Sequence, residues 1–141
     1  MSDNYRTDQW ILNLFPNFYD PCPYLGIKNG VDIDGLKTSW NYADYDGVFV
    51  NPPYSNPKPW VQKAILEQHL AIKAANCDVT EEWFEGSGLN IVMLLKHDTS
   101  TEWYRLLHMA GAKFLLVNGR LKHQTGIACA FPSVLAILGC K

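Results

Sequence analysis

The four residues Asn51-Pro52-Pro53-Tyr54 hold more chemistry than any other stretch of this sequence. An aromatic amine is a poor nucleophile, because its lone pair is delocalised into the ring. To make it attack, a site must hold the nitrogen in line with the electrophile. It must also favour the tetrahedral, lone-pair-localised form in the transition state. Two convergent acceptors on the amine hydrogens do both. An Asn side-chain oxygen and the carbonyl of the following Pro supply them from one rigid turn, since proline fixes φ and removes a competing donor. The Tyr ring adds a face on which a flipped base can stack. The electrophile that such a site suits is the methyl group of a sulfonium. The bland alternative is a proline-rich turn that merely ends a strand. The tetrapeptide directly follows the apolar run Gly47 to Val50 (GVFV), and that context makes it specific.

The surrounding pattern alternates strands and helices. Thr7 and Asp8 read as a helix start, with Trp10, Ile11, Leu14 and Phe15 on one face at helical spacing. Short strands are predicted at Phe18-Tyr19 and Val31-Asp32-Ile33, and a buried one over Gly47 to Val50. Pro57 and Pro59 precede a helix from about Trp60 to Ala75, proline being tolerated in a first turn. Val79 to Gly88 is a connector, and Ile91 to Leu95 (IVMLL) is the clearest buried strand. A helix over Thr101 to Ala110 ends at Gly111, and strands follow at Phe114 to Val117 and Val134 to Leu138. Asn118-Gly119 is a hairpin-type turn signal. Apolar strands separated by helices predict an α/β fold with a mostly parallel sheet that finishes with antiparallel strands. In such sheets ligands bind beyond the carboxyl ends of the strands, here Asp20-Pro21-Cys22 and Asn51 to Tyr54.

The 141 residues fit one domain with one core, and 48% hydrophobic against 18% charged residues describes a folded chain. No apolar run approaches the ~20 residues of a membrane-spanning helix, and the polar start MSDNYRTDQW lacks a signal peptide's apolar core. A cytoplasmic location is the expectation. Cys22, Cys77, Cys129 and Cys140 form no CxxC pair, and the four histidines show no ligand spacing, so no metal site is expected. The net charge of −2 is unlike a protein that grips nucleic acid by charge alone, although Lys113, Arg120 and Lys122 lie close together. An ordinary solvated face is the other explanation of that cluster.

From Asp46 to Ser55 the chain reads DGVFVNPPYS, followed by Pro59-Trp60 and a helix, and this resembles the phage-type DNA adenine methyltransferase family. Arg6 to Trp10 is similar to that family's opening segment, with Asp8 where a Pro is more usual. Tyr19-Asp20-Pro21-Cys22-Pro23 resembles its cofactor strand, and Asp34-Gly35-Leu36 with Trp40 resembles the stretch before its catalytic strand. Leu94-Leu95, Asp98 to Thr101 and Trp103 resemble the next strand and helix. Gly119 to Lys122 and Phe131-Pro132-Ser133 match its closing segments. The resemblance implies a Rossmann-like class I methyltransferase fold with helices on both faces of the sheet. It implies S-adenosylmethionine as cofactor and double-stranded DNA as partner. It also implies catalysis by Asn51, Pro52, Pro53 and Tyr54, and cofactor contacts at Thr7, Asp20, Pro21 and Cys22. His123 stands where the family usually has an aromatic residue, which bears on how the target base is held.

S-adenosylmethionine asks for an acceptor for its amino group, acceptors for its ribose hydroxyls and an apolar slot for its adenine. Asp20, at a strand end, suits the amino group; Asp34 suits the ribose; Leu36 and Trp40 suit the adenine. Each has a bland alternative: a turn at Asp20-Pro21, a cap at Asp34, a core position for Trp40 and an N-cap role for Thr7. No GxGxxG motif is present, which counts against a nicotinamide enzyme. Substrate contacts are expected from Ser55 and Lys58 in one loop and from Arg120, Lys122 and His123 in another. With 141 residues there is no room for a separate target-recognition domain, so sequence preference falls to these loops or to a partner subunit. The same tetrapeptide also suits methylation of RNA bases or protein glutamine amides. A non-catalytic scaffold that keeps the shell of such an enzyme is a third alternative.

Overall fold

The computed structural model describes residues 7–22, 35–42, 44–75, 89–119, 121 and 132–139. In chain order the elements are α1 (Gln9–Asn13), β1 (Phe18–Tyr19), β2 (Gly47–Val50), α2 (Lys58–Ala75), β3 (Ile91–Lys96), α3 (Glu102–Met109), β4 (Lys113–Leu116) and β5 (Ser133–Leu138). The five strands form one sheet in the order β1-β2-β3-β5-β4. The pairs β1–β2 and β2–β3 are parallel, with Tyr19 opposite Val48 and Val50 opposite Met93. The last strand, β5, runs antiparallel to both neighbours, so it is the one reversed strand of the described sheet.

Alternation along the strands divides the core into two layers. Val48, Val50, Ile91, Met93 and Leu95 face one side, where Val61 and Ala64 of α2 and Trp103 and Leu107 of α3 cover them. Phe49, Val92, Leu94 and Leu135 face the other, where Ile11 of α1 and Leu121 pack. Helices therefore cover both faces, and the middle strands read as continuous apolar runs because neither face meets water. No described helix is long and apolar enough to cross a membrane.

Several expectations shift for local reasons. Helix α2 starts at Lys58, ahead of Trp60: the Pro57 carbonyl accepts from the Trp60 and Val61 N–H groups, each at 3.0 Å. Pro59 then sits in the first turn, where its missing N–H leaves no bond unmade. The Thr101 hydroxyl accepts from the Tyr104 N–H (3.3 Å) as the N-cap of α3, and Gly111 takes φ +80 just past its end. On α1 only part of the expected face is buried: Ile11 is enclosed and Phe15 half-buried, while Trp10 and Leu14 are exposed. Gly119 does take a positive φ of +72, yet the strand that pairs with β4 begins only at Ser133. Asn118-Gly119 is therefore not the two-residue turn of a tight hairpin. The strand expected at Val31 to Ile33 lies outside the described residues.

Candidate functional site

The parallel strands β1, β2 and β3 end on the same side of the sheet, and each end delivers polar residues there. At the end of β1, the Asp20 carboxylate accepts from the Cys22 N–H at 2.8 Å. That one bond does not compensate for desolvation, and burial pushes the Asp20 carboxyl up to about 6. Pro21 is buried beneath Gly35, where a Cβ would come within 2.0 Å of the Pro21 carbonyl oxygen, so only glycine permits this approach. The Trp40 indole N–H donates to the Gly35 carbonyl at 2.8 Å and fastens the returning segment. Trp40 itself is fully buried and stacks against Trp60 with ring centroids 6.3 Å apart, which makes it a core residue. The Cys22 thiol, a free cysteine, is pushed up to about 12 by burial and then by the Asp20 charge, so it stays protonated and is no nucleophile. Leu36 is half-buried on the same returning segment, and Asp34 lies outside the described residues.

At the end of β2, the Asn51 amide nitrogen donates to the Thr7 hydroxyl oxygen at 2.9 Å, joining residues 44 positions apart. Its other end, Oδ1, is buried and has no hydrogen-bond partner among the described residues. A buried acceptor left unmade costs about 1–3 kcal/mol, so an orphan of this kind needs an explanation. The prolines stiffen the turn beyond Asn51. Pro52 is buried, and the Pro53 carbonyl accepts from the Asn56 N–H at 3.2 Å to close that turn. Tyr54 is half-buried and Ser55 exposed.

Beside this loop lies a cleft of about 230 Å³, with Pro52, Tyr54 and Pro57 contributed by the β2–α2 loop and Lys96, Asp98 and Trp103 by the end of β3 and by α3. Its volume is below the roughly 300–1,000 Å³ of pockets for drug-sized ligands, which suits a single ring system. Asp98 accepts from the Ser100 N–H (3.0 Å) and hydroxyl (2.5 Å), and these bonds hold its carboxyl below the usual range. Lys58 and Glu102, the first residues of α2 and α3, pair at 2.8 Å, and that ammonium holds the Glu102 carboxyl below its ordinary value. No three His, Cys, Asp or Glu side chains converge as a metal site among the described residues.

The structure thus sets Asp20 and Asn51 at the carboxyl ends of adjacent parallel strands, and brings Thr7 to Asn51. Arg120, Lys122 and His123 lie outside the described residues. Sequence reasoning missed the Thr7–Asn51 contact, for which no local signal exists. Lys96 and Asp98 line the cleft, in keeping with the rule that ligands gather at carboxyl ends of strands. No curated protein and no solved structure matches the chain. The family model described as DNA N-6-adenine-methyltransferase (Dam) matches residues 29–129, a segment that contains β2, its Asn-Pro-Pro-Tyr end, β3 and α3. The chain belongs to the DNA N-6-adenine-methyltransferase family, and the protein is an enzyme, a methyltransferase acting on DNA adenine.

Proposed function

We propose that the enzyme uses S-adenosylmethionine to methylate the N6 amine of an adenine turned out of double-stranded DNA. The observation that carries this is the buried Oδ1 of Asn51 at a strand end, which has no partner among the described residues. A target amine brings the N–H that this atom lacks. The Pro52 carbonyl is the second acceptor; the Pro53 carbonyl is already used within the turn. Two acceptors on one amine hold the nitrogen and favour the lone-pair-localised form as attack proceeds. Tyr54, on the adjoining cleft, offers a stacking face to the flipped base. No general base is needed before transfer, because the methylated amine is cationic and loses its proton afterwards to water.

The residues at the end of β1 fit the cofactor. A buried carboxylate raised to about 6 has no cationic partner among the described residues, and the ammonium of S-adenosylmethionine would be one. When bound, the cofactor supplies the electrophilic methyl group. Asp20 holds its amino-acid part, Asp34 accepts from its ribose, and Leu36 lines the slot for its adenine. Pro21 shapes that strand end, and Cys22 contributes its backbone N–H to Asp20. A largely parallel sheet with one reversed strand and helices on both faces supports a Rossmann-like class I methyltransferase fold. DNA is held by Ser55 and Lys58 and by Arg120, Lys122 and His123.

Calorimetry with S-adenosylmethionine, followed by methyl transfer to duplex DNA, RNA and a glutamine-containing peptide in parallel, tests the assignment. Label is expected on DNA adenine. Transfer to RNA or peptide with none to DNA overturns the substrate, and failure to bind S-adenosylmethionine overturns the cofactor.

A further inference from the structure

Thr7, two residues ahead of α1, reaches the Asn-Pro-Pro-Tyr turn. Asp8 occupies the N-cap position of α1 but makes no side-chain cap bond, and Thr7 turns its hydroxyl to the Asn51 amide. Thr7 is therefore not the cap. Its place is fixed from below: Ile11 is fully buried against Phe49, Val92 and Leu94, and the Phe15 ring stacks on Phe49 at 5.4 Å. Phe49 belongs to β2, the strand that ends at Asn51, so one strand anchors both partners of the hydrogen bond.

An Asn amide has two ends of nearly the same shape and opposite hydrogen-bonding sense, and only its partners decide which end faces where. Here Nδ2 donates to the Thr7 hydroxyl oxygen, and Oδ1 is left over, buried and without a partner among the described residues; a hydroxyl that accepts at this point leaves the acceptor end of the amide for the target. Turned by half a rotation, the amide would present N–H to the N–H of an incoming amine, and no bond would form. The geometry points to Thr7 as a positioning residue for methyl transfer: its hydroxyl holds the Asn51 amide so that Oδ1 is the end offered to the target. This rests on Asn51 being the acceptor of the target amine. It also gives Thr7, which lies before the segment matched by the family model, a part in catalysis.

Single-turnover methylation and S-adenosylmethionine calorimetry on Thr7→Val, Thr7→Ser, Asn51→Ala and Asn51→Asp, with Thr7→Val also combined with Asn51→Asp, test this. Thr7→Val should slow transfer by roughly 10²-fold, the cost of a small misplacement at a reacting centre, and leave cofactor affinity and melting temperature unchanged. Thr7→Ser, which keeps the oxygen, should restore the rate. A carboxylate has two equivalent oxygens and no wrong end, so Thr7→Val should cost far less on top of Asn51→Asp. Thr7 is only half-buried, so Val should fold; Thr7→Ala is read in the same way if it does not. Weaker cofactor binding with an unchanged rate at saturation would make Thr7 a cofactor contact and overturn the inference. So would an equal loss in both backgrounds, or a loss that follows melting temperature. A wild-type rate in Asn51→Ala would instead sink the assignment of the site itself.

Discussion

Asp20 and Asn51 end neighbouring parallel strands, yet the two ends are prepared in opposite ways. Asp20 is a buried carboxylate that one backbone N–H supports incompletely, so its charge is held at a cost. Asn51 is a neutral amide, tied at its nitrogen and with no partner for its oxygen among the described residues. The first suits a cation, which it would bind through charge. The second calls for an N–H and gains from it without charge, which suits a group that becomes cationic only as the reaction proceeds. On the proposed function, binding and catalysis fall to adjacent strand ends, and variants at the two should fail differently.

The largest effect is expected at Asn51. Asn51→Ala should lower the single-turnover rate by about 10²–10³-fold, the range for losing one group aimed at transition-state charge. DNA affinity should change much less, since the interaction strengthens only as the lone pair localises. Asn51→Asp should keep part of the rate, because a carboxylate also accepts. Tyr54→Phe should be tolerated, whereas Tyr54→Ala should lose about 1–3 kcal/mol of base stacking. If Asn51→Ala weakens DNA binding as much as it slows transfer, the division between the two strand ends does not exist.

At Asp20 the effect is smaller and depends on pH. Its carboxyl stands at about 6 in the folded chain against an ordinary 3.8, so the folded state holds the proton more tightly. Its contribution to stability is full below the lower value and is lost as pH rises through the upper one. On the proposed function, the cofactor's ammonium would pair only with the ionised form. Affinity should therefore be level above neutrality and fall by about tenfold per unit as pH drops below 6, the limit for one linked proton. Over the same interval this group stabilises the ligand-free protein. Asp20→Asn should remove both trends, raise ligand-free stability at neutral pH, and lower cofactor affinity by about 1.5–3 kcal/mol. Calorimetry across that interval measures the first and thermal melts the second; pH-independent affinity in the wild type would show that Asp20 meets no cation.

How much of this could be read from the sequence depended on whether the signal was local. The runs GVFV and IVMLL announce β2 and β3, because strands covered on both faces are apolar throughout. Strand β4 runs over Lys113–Leu116, one residue earlier than expected; on the edge of the sheet Leu115 and Leu116 are exposed, so burial does not mark its ends. The Asn-Pro-Pro-Tyr turn is legible because four adjacent residues carry its chemistry. Trp40 is a buried core residue, a choice made by the Trp60 ring and the Gly35 carbonyl, which no local pattern announces. The Thr7–Asn51 bond joins two segments that meet only once α1 has docked on the sheet, and nothing near either residue announces it.

The smallest expected effect separates DNA contact from scaffolding at the mouth of the cleft. Lys58 and Glu102 follow Pro57 and Thr101, which line the cleft just ahead of α2 and α3, and their side chains are 41% and 63% exposed. An ion pair this exposed is worth at most about 1 kcal/mol, so a DNA phosphate can take Lys58 from Glu102 at little cost. Lys58→Met should lower DNA affinity equally across sequences and reduce the salt slope by about 1, with a stability change below about 1 kcal/mol. Glu102→Gln breaks the same pair but frees the lysine, so it should raise DNA affinity while costing the same small stability. The opposite signs are the test, read by titrating duplex DNA at several salt concentrations. If both variants lose the same stability and neither alters DNA binding, Lys58 only joins α2 to α3, and the charge that meets the phosphates lies elsewhere on the chain.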